Sequence, residues 1–144
     1  MTLSRPREMR ALIVVAAWVL CGSLLVGATF LPWAGSGPLS QSTPVDLAGL
    51  VRSGVLTSVP GWLPWVVVLL PLTGAALVAL AAVARAKWAR IGLWLVGGLT
   101  WFGLMREATA GDVARWSQGA WLGAVSLLIG LGALLTESRR RTTT

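Results

Sequence analysis

Residues 62–90 read WLPWVVVLLPLTGAALVALAAVARAKWAR. The first 23 of them, 62–84, carry no charged side chain, and the last six hold Arg85, Lys87 and Arg90. A bilayer's hydrocarbon core, about 30 Å thick, takes roughly 20 helical residues at about 1.5 Å each. The stretch is therefore expected to cross a membrane once and to turn at its cations. A second apolar run, 91–105, follows at once. It is 15 residues long, and reaches full width, about 88–106, if Lys87, Arg90 and Arg106 lie in the headgroup layers with their tips turned outward. A re-entrant segment is the alternative for this run.

Two further charge-free runs of 21 residues, 11–31 and 116–136, flank this pair. Hydrophobic residues make up 56% of the 144 positions and charged residues 12%, too few to coat a water-facing surface. The mean hydropathy of +0.76 agrees. Consecutive apolar residues such as Val66-Val67-Val68-Leu69-Leu70 lack the alternation of a spanning β-barrel. The fold expected is all-α: an integral membrane, antiparallel four-helix bundle forming a single domain over 1–144.

Charge sets the orientation. One side takes Arg5, Arg7, Arg10, Arg85, Lys87, Arg90, Arg139, Arg140 and Arg141, nine cations against Glu8 and Glu137. The other takes Arg52, Arg106 and Arg115 against Asp46, Glu107 and Asp112, so the whole net charge of +7 lies on the first side. The positive-inside rule then places both termini in the cytoplasm and the segments 32–61 and 106–115 outside a cell membrane. Trp33, Trp62, Trp65, Trp101, Trp116 and Trp121 are expected near the outer interface and Trp88 at the inner one, with Trp18 and Trp94 deeper among helices. Cations that flank spans, instead of lining a polar helix face, argue against nucleic acid as the partner. The amino-terminal run is read as a retained anchor; it is long for a signal peptide and lacks a small-x-small exit.

In the long outer segment, Thr43-Pro44 reads as an N-cap with proline in the first turn and Asp46 favourable to the helix dipole. Leu47, Leu50 and Val51 share one face, so a short amphipathic helix is expected over 44–53. Pro71 falls inside the second span, where it is either a static kink or a hinge. Small residues recur at helical spacing: Gly119, Gly123, Ser126, Gly130 and Ala133; Ala75, Ala79, Ala82 and Ala86; Ala17, Cys21, Leu24 and Ala28. Such stripes let helices approach closely in lipid, and Gly119-x-x-x-Gly123 also suits self-association.

Chemistry is sparse. No histidine and a single cysteine, Cys21, leave no ordinary zinc, copper or haem ligand set and no intrachain disulfide. No span holds an ionisable residue at depth, so proton relays and carboxylate dyads lack their parts. Glu107 and Asp112, five apart beside Arg106 and Arg115, are the one acid/base candidate. Their structural reading has Asp112 capping the last helix and Glu107 pairing with Arg106 or Arg115. Ser126 and Thr73 are expected to bond within their helix or to a neighbour. Arg139-Arg140-Arg141 suits anionic lipid.

The run Phe30-Leu31-Pro32-Trp33-Ala34, then Trp62-Leu63-Pro64-Trp65 and Leu70-Pro71-Leu72, closed by Lys87-Trp88-Ala89-Arg90, resembles small four-helix actinobacterial integral membrane proteins of uncharacterised function. It is more loosely similar to the tryptophan-associated transmembrane family. The resemblance spans most of 11–105 and implies four helices in the cytoplasmic membrane, but no activity. The function expected is non-catalytic: an accessory or interaction subunit of another membrane protein, or of itself, with the lipid bilayer as its other partner. No cofactor, metal or catalytic residue is assigned. The alternatives are a subunit of a small oligomeric transporter or channel with Pro71 as gate, and an enzyme acting on lipid headgroups through Glu107 and Asp112.

Overall fold

The described residues form five helices: α1 Arg5–Ala28, α2 Pro44–Arg52, α3 Leu63–Leu80, α4 Lys87–Thr109 and α5 Gln118–Ser138. Short 3-10 turns occupy Ala84–Ala86 and Val113–Arg115. The computed structural model describes residues 5–35, 42–54, 62–109 and 112–138. Expectations that fall on Gly37-Pro38, Pro60-Gly61, Gly111 and the Arg139–Arg141 tail lie outside the described residues. Among those described there is no strand, only one isolated bridge between Ala34 and Trp116. The chain is all-α.

Local signals place the helix ends. Thr43 caps α2: its hydroxyl accepts from the Asp46 N–H (3.2 Å), while Asp46 Oδ2 accepts from the Thr43 N–H (3.0 Å). This reciprocal pair satisfies two otherwise orphaned donors. Gly54 ends α2 at φ 76°, in the left-handed region that glycine enters without a side-chain clash. Proline at the start of α3 costs no helical hydrogen bond there. Pro71 does not interrupt α3, which stays helical from Leu63 to Leu80.

Contacts run antiparallel from helix to helix. Gly22 of α1 meets Gly74 and Val78 of α3, Gly97 of α4 meets Thr73 of α3, Gly130 of α5 meets Trp94 of α4, and Ser126 of α5 meets Cys21 of α1. The closest backbone approach is Gly22 on Gly74; a Cβ on either would strike the other's carbonyl oxygen. Inward residues recur at alternating steps of four and three: Val14, Trp18, Cys21, Leu25 and Ala28 on α1, and Val67, Leu70, Gly74, Leu77 and Ala81 along α3 and its cap. On α4 they are Arg90, Trp94, Gly97, Trp101 and Leu104. A period of about 3.5 keeps one seam facing its neighbours along a whole helix.

The small-residue stripes behave unequally. Ala75, Ala79 and Ala82 face outward, because Gly74, one position earlier, supplies the close approach. The α5 stripe faces inward throughout, but it receives indole rings where close backbone contact was expected. Gly119 seats Trp33, Gly123 seats Trp101 and Gly130 seats Trp94; a Cβ at any of the three would collide with the ring. These glycines are therefore committed within the chain. Trp33 and Trp101 are buried within the protein. The Trp33 N–H donates to the Ala28 carbonyl at 2.6 Å.

The stretch Pro32–Gly35 zips against the start of α5. Gly35 N–H donates to Arg115 O (2.7 Å), Ser117 N–H to Trp33 O (3.1 Å) and Gly119 N–H to Pro32 O (3.0 Å). Early N–H groups of α5, which have no partner inside the helix, are satisfied this way. Side chains facing away from the interior are large and apolar: Leu12, Val19, Trp65, Leu72, Leu99, Phe102, Leu128 and Leu135 are all exposed. Two helical segments, Glu8–Ala28 and Gln118–Ser138, are long and apolar enough to cross a bilayer, and Pro64–Leu80 is apolar but shorter. α4 has the length, at 23 residues, but carries Lys87, Arg90, Arg106 and Glu107.

Candidate functional site

The small-residue stripe of α5 runs 119, 123, 126, 130, 133, and its next step lands on Glu137. Glu137 turns inward with the rest of the stripe, and Arg90, at the start of the inward row of α4, turns to meet it. Arg90 Nη2 donates to Glu137 Oε1 at 2.7 Å, with the two side chains only 6% and 8% exposed. Arg90, expected among the headgroups with its tip turned outward, is buried instead, and Glu137, expected among the charges of the cytoplasmic side, is buried with it.

Four helices converge on this pair. Arg90 Nη1 donates to the Leu80 (3.0 Å), Ala81 (3.5 Å) and Val83 (2.8 Å) carbonyls where α3 gives way to the turn; the Leu80 and Val83 carbonyls also accept from the Val83 and Ala86 N–H groups. Trp18 of α1 donates its indole N–H to Glu137 Oε1 at 3.2 Å, and the guanidinium carbon lies 5.9 Å from the Trp18 ring centroid. A planar fork of five donors is what lets one side chain serve carbonyls and a carboxylate together.

Each partner sits at the unfavourable end of its own helix. A cation in the first turn of α4 and an anion in the last turn of α5 both oppose their helix dipoles. Neither is there for its own helix. Arg90 is well placed only with respect to the negative end of α3, and Glu137 only with respect to Arg90. The cluster ties α1, α3, α4 and α5 together at one end of the molecule.

The residues singled out from sequence are not assembled into a site. Asp112 Oδ1 accepts from the Ala114 N–H (2.9 Å), capping the 3-10 turn and not α5 as expected, because five residues separate it from the first turn of that helix. Its other oxygen lies 3.5 Å from Arg115 Nε, with both side chains more than half exposed. Glu107 is exposed and forms no ion pair among the described residues. Thr73 bonds back to the Leu70 carbonyl (2.8 Å), while Ser126 crosses to the Cys21 carbonyl (2.7 Å), so each expected mode occurs once. Among the described residues no cluster of potential metal ligands forms.

Trp101, Trp116 and Trp121 stack edge to face, with centroids 5.4 and 5.0 Å apart. Beside them an open apolar recess of about 640 Å³ lies between α1 and α5, lined by Leu24, Gln118, Trp121, Leu122 and Val125 among others, with no titratable group. On α2, the backbone N–H and hydroxyl of Thr43 hold the Asp46 carboxyl below the usual carboxylate range.

No protein-family model, curated protein or solved structure matches the chain.

Proposed function

We propose that this is a non-catalytic, four-span protein of the cell membrane that serves as an accessory subunit, binding another membrane protein or a second copy through its outer segment or its apolar faces. The observation that carries this reading is an inverted distribution of polarity. The outward faces of α1, α3, α4 and α5 are apolar, and the two charges held inside neutralise one another. Apolar exteriors of that extent suit lipid or a partner helix and not water. Interior ionisable groups in membranes usually mark transport or proton paths. Here both are fixed by hydrogen bonds to Trp18 and to the end of α3, which favours a structural tie.

The pair also leaves the orientation argument intact. Removing Arg90 and Glu137 from the count leaves eight cations against Glu8 on the side assigned to the cytoplasm. Both termini and the α3–α4 turn share that side, with α2 and the zipped Pro32–Gly35 stretch outside. The fit of α4 follows as well, since Arg90 is neutralised inside and Lys87, Arg106 and Glu107 lie near its ends.

The test is crosslinking in native membranes followed by purification in mild detergent. One defined membrane protein, or a discrete oligomer of this chain, is expected to be recovered. Recovery of the uncrosslinked monomer alone at native expression would reject the accessory reading. Protease added to sealed cells is expected to spare the Thr144 end; trimming there would overturn the orientation.

A further inference from the structure

Three buried polar side-chain atoms among the described residues lack a partner: Arg90 Nε, Glu137 Oε2 and Trp101 Nε1. All three belong to α4 or α5 and lie along the boundary between them. Buried polar groups are nearly always satisfied, so three orphans on one boundary single it out. It is also the loosest junction: α4 and α5 approach each other less closely than α1 and α3, α3 and α4, or α1 and α5. Gly22 and Gly74 bring α1 and α3 backbone to backbone, whereas α4 meets α5 through long side chains. Those contacts are Arg90 on Glu137, Trp94 on Leu127 and Gly130, and Trp101 on Gly123.

We propose that the α4–α5 seam is the side on which the bundle opens, with the Arg90–Glu137 pair as its latch and the Gly22–Gly74 contact as its hinge. The bonding divides accordingly. Arg90 keeps its Nη1 bonds to the end of α3, so α3 and α4 move as one body. Glu137 keeps the Trp18 N–H, so α5 moves with α1. At that end the Nη2–Oε1 contact and the packing of the guanidinium on the Trp18 ring have to part, and farther along the seam the Trp94 N–H has to leave the Leu127 carbonyl. Opening then gives Nε, Oε2 and the Trp101 N–H access to water or to a partner's polar groups, which offsets part of the loss of the ion pair and of the Trp94–Leu127 bond. The closed form is thus poised. The inference rests on the bonding within the chain and stands whether or not an accessory partner is found.

The test uses the full chain with Cys21→Ala in phosphatidylcholine–phosphatidylglycerol vesicles, carrying one of two spin-labelled cysteine pairs. Gly98→Cys with Leu127→Cys spans α4–α5, and Gly27→Cys with Leu122→Cys spans α1–α5. The pairs are matched: a Cβ at Gly98 lies 3.6 Å from Leu127 Cδ2, and one at Gly27 lies 3.5 Å from Leu122 Cδ2. Dipolar broadening is expected to be complete across α1–α5, with a distinct unbroadened fraction across α4–α5. Glu137→Gln is expected to raise that fraction several-fold while leaving the α1–α5 pair unchanged. Arg90→Lys, which keeps the cation and loses the fork, gives an intermediate fraction. Equal, complete broadening at both seams overturns the proposal, and that comparison needs no latch variant. Joint loss of broadening at both seams in Glu137→Gln also overturns it, showing a tie of the whole bundle in place of a latch.

Discussion

The two ends of the molecule are closed by opposite means. At one end Pro32–Gly35 meets Arg115–Gly119 through three neutral backbone hydrogen bonds, and Trp33 fills the space over Gly119. At the other a single guanidinium joins three carbonyls and a carboxylate. The first arrangement spreads a modest net contribution, about 1 kcal/mol per bond, over several residues whose side chains scarcely matter. The second concentrates it in two residues that cannot be altered singly, because removing either leaves an uncompensated buried charge.

The sharpest way to break this comparison is to truncate the charged end. Glu137→Ala is expected to cost about 3–5 kcal/mol in reversible unfolding followed by circular dichroism in mixed micelles. The double variant Arg90→Met/Glu137→Leu should recover most of that loss, since replacing both charges removes the unpaired one. A double variant as unstable as the single would show that the Arg90 bonds to the end of α3, and not the pair, hold this end. Next in size are the ring seats. Gly123→Val and Gly119→Val drive a side chain into Trp101 and Trp33 and are expected to cost about 1–3 kcal/mol each, whereas Gly132→Val, which opens onto free space, should cost much less. At the neutral end, Trp33→Phe loses one hydrogen bond to the Ala28 carbonyl for about 1 kcal/mol.

The smallest effect concerns α2. The Asp46 carboxyl is held below its usual range, so its contribution to the cap is complete above the unfolded value of about 3.9 and is lost as pH falls through the folded value. Helical signal from α2 is expected to stay flat from neutrality to about pH 4 and to decline below it, with Asp46→Asn removing the dependence. Amide chemical shifts of Asp46–Gly49 report it directly.

How far these ends were legible in sequence differs in the same way. Thr43, Pro44 and Asp46 announced α2 because capping is local, and its observed bounds fall where those residues put them. Trp18 was expected among helices from its depth in an apolar run, and it is fully buried. Arg90 and Glu137 were misread because charges at the edge of an apolar run ordinarily mark where water begins. Their partnership joins positions 47 residues apart, which no local pattern reports. One signal was present: the α5 stripe, carried one more step beyond Ala133, reaches Glu137. The outward-facing Ala75, Ala79 and Ala82 teach the converse, that small residues at helical spacing do not by themselves say which face is inside.

The bonds that the Ser117 and Gly119 N–H groups donate to the Trp33 and Pro32 carbonyls couple segments made early and late during synthesis. Until the ribosome has delivered α5, the indole of Trp33 has no floor and the Trp18 N–H has no carboxylate. A nascent chain stalled before residue 118 therefore displays a half-built surface to chaperones and quality-control proteases, and maturation waits on residues 118–138.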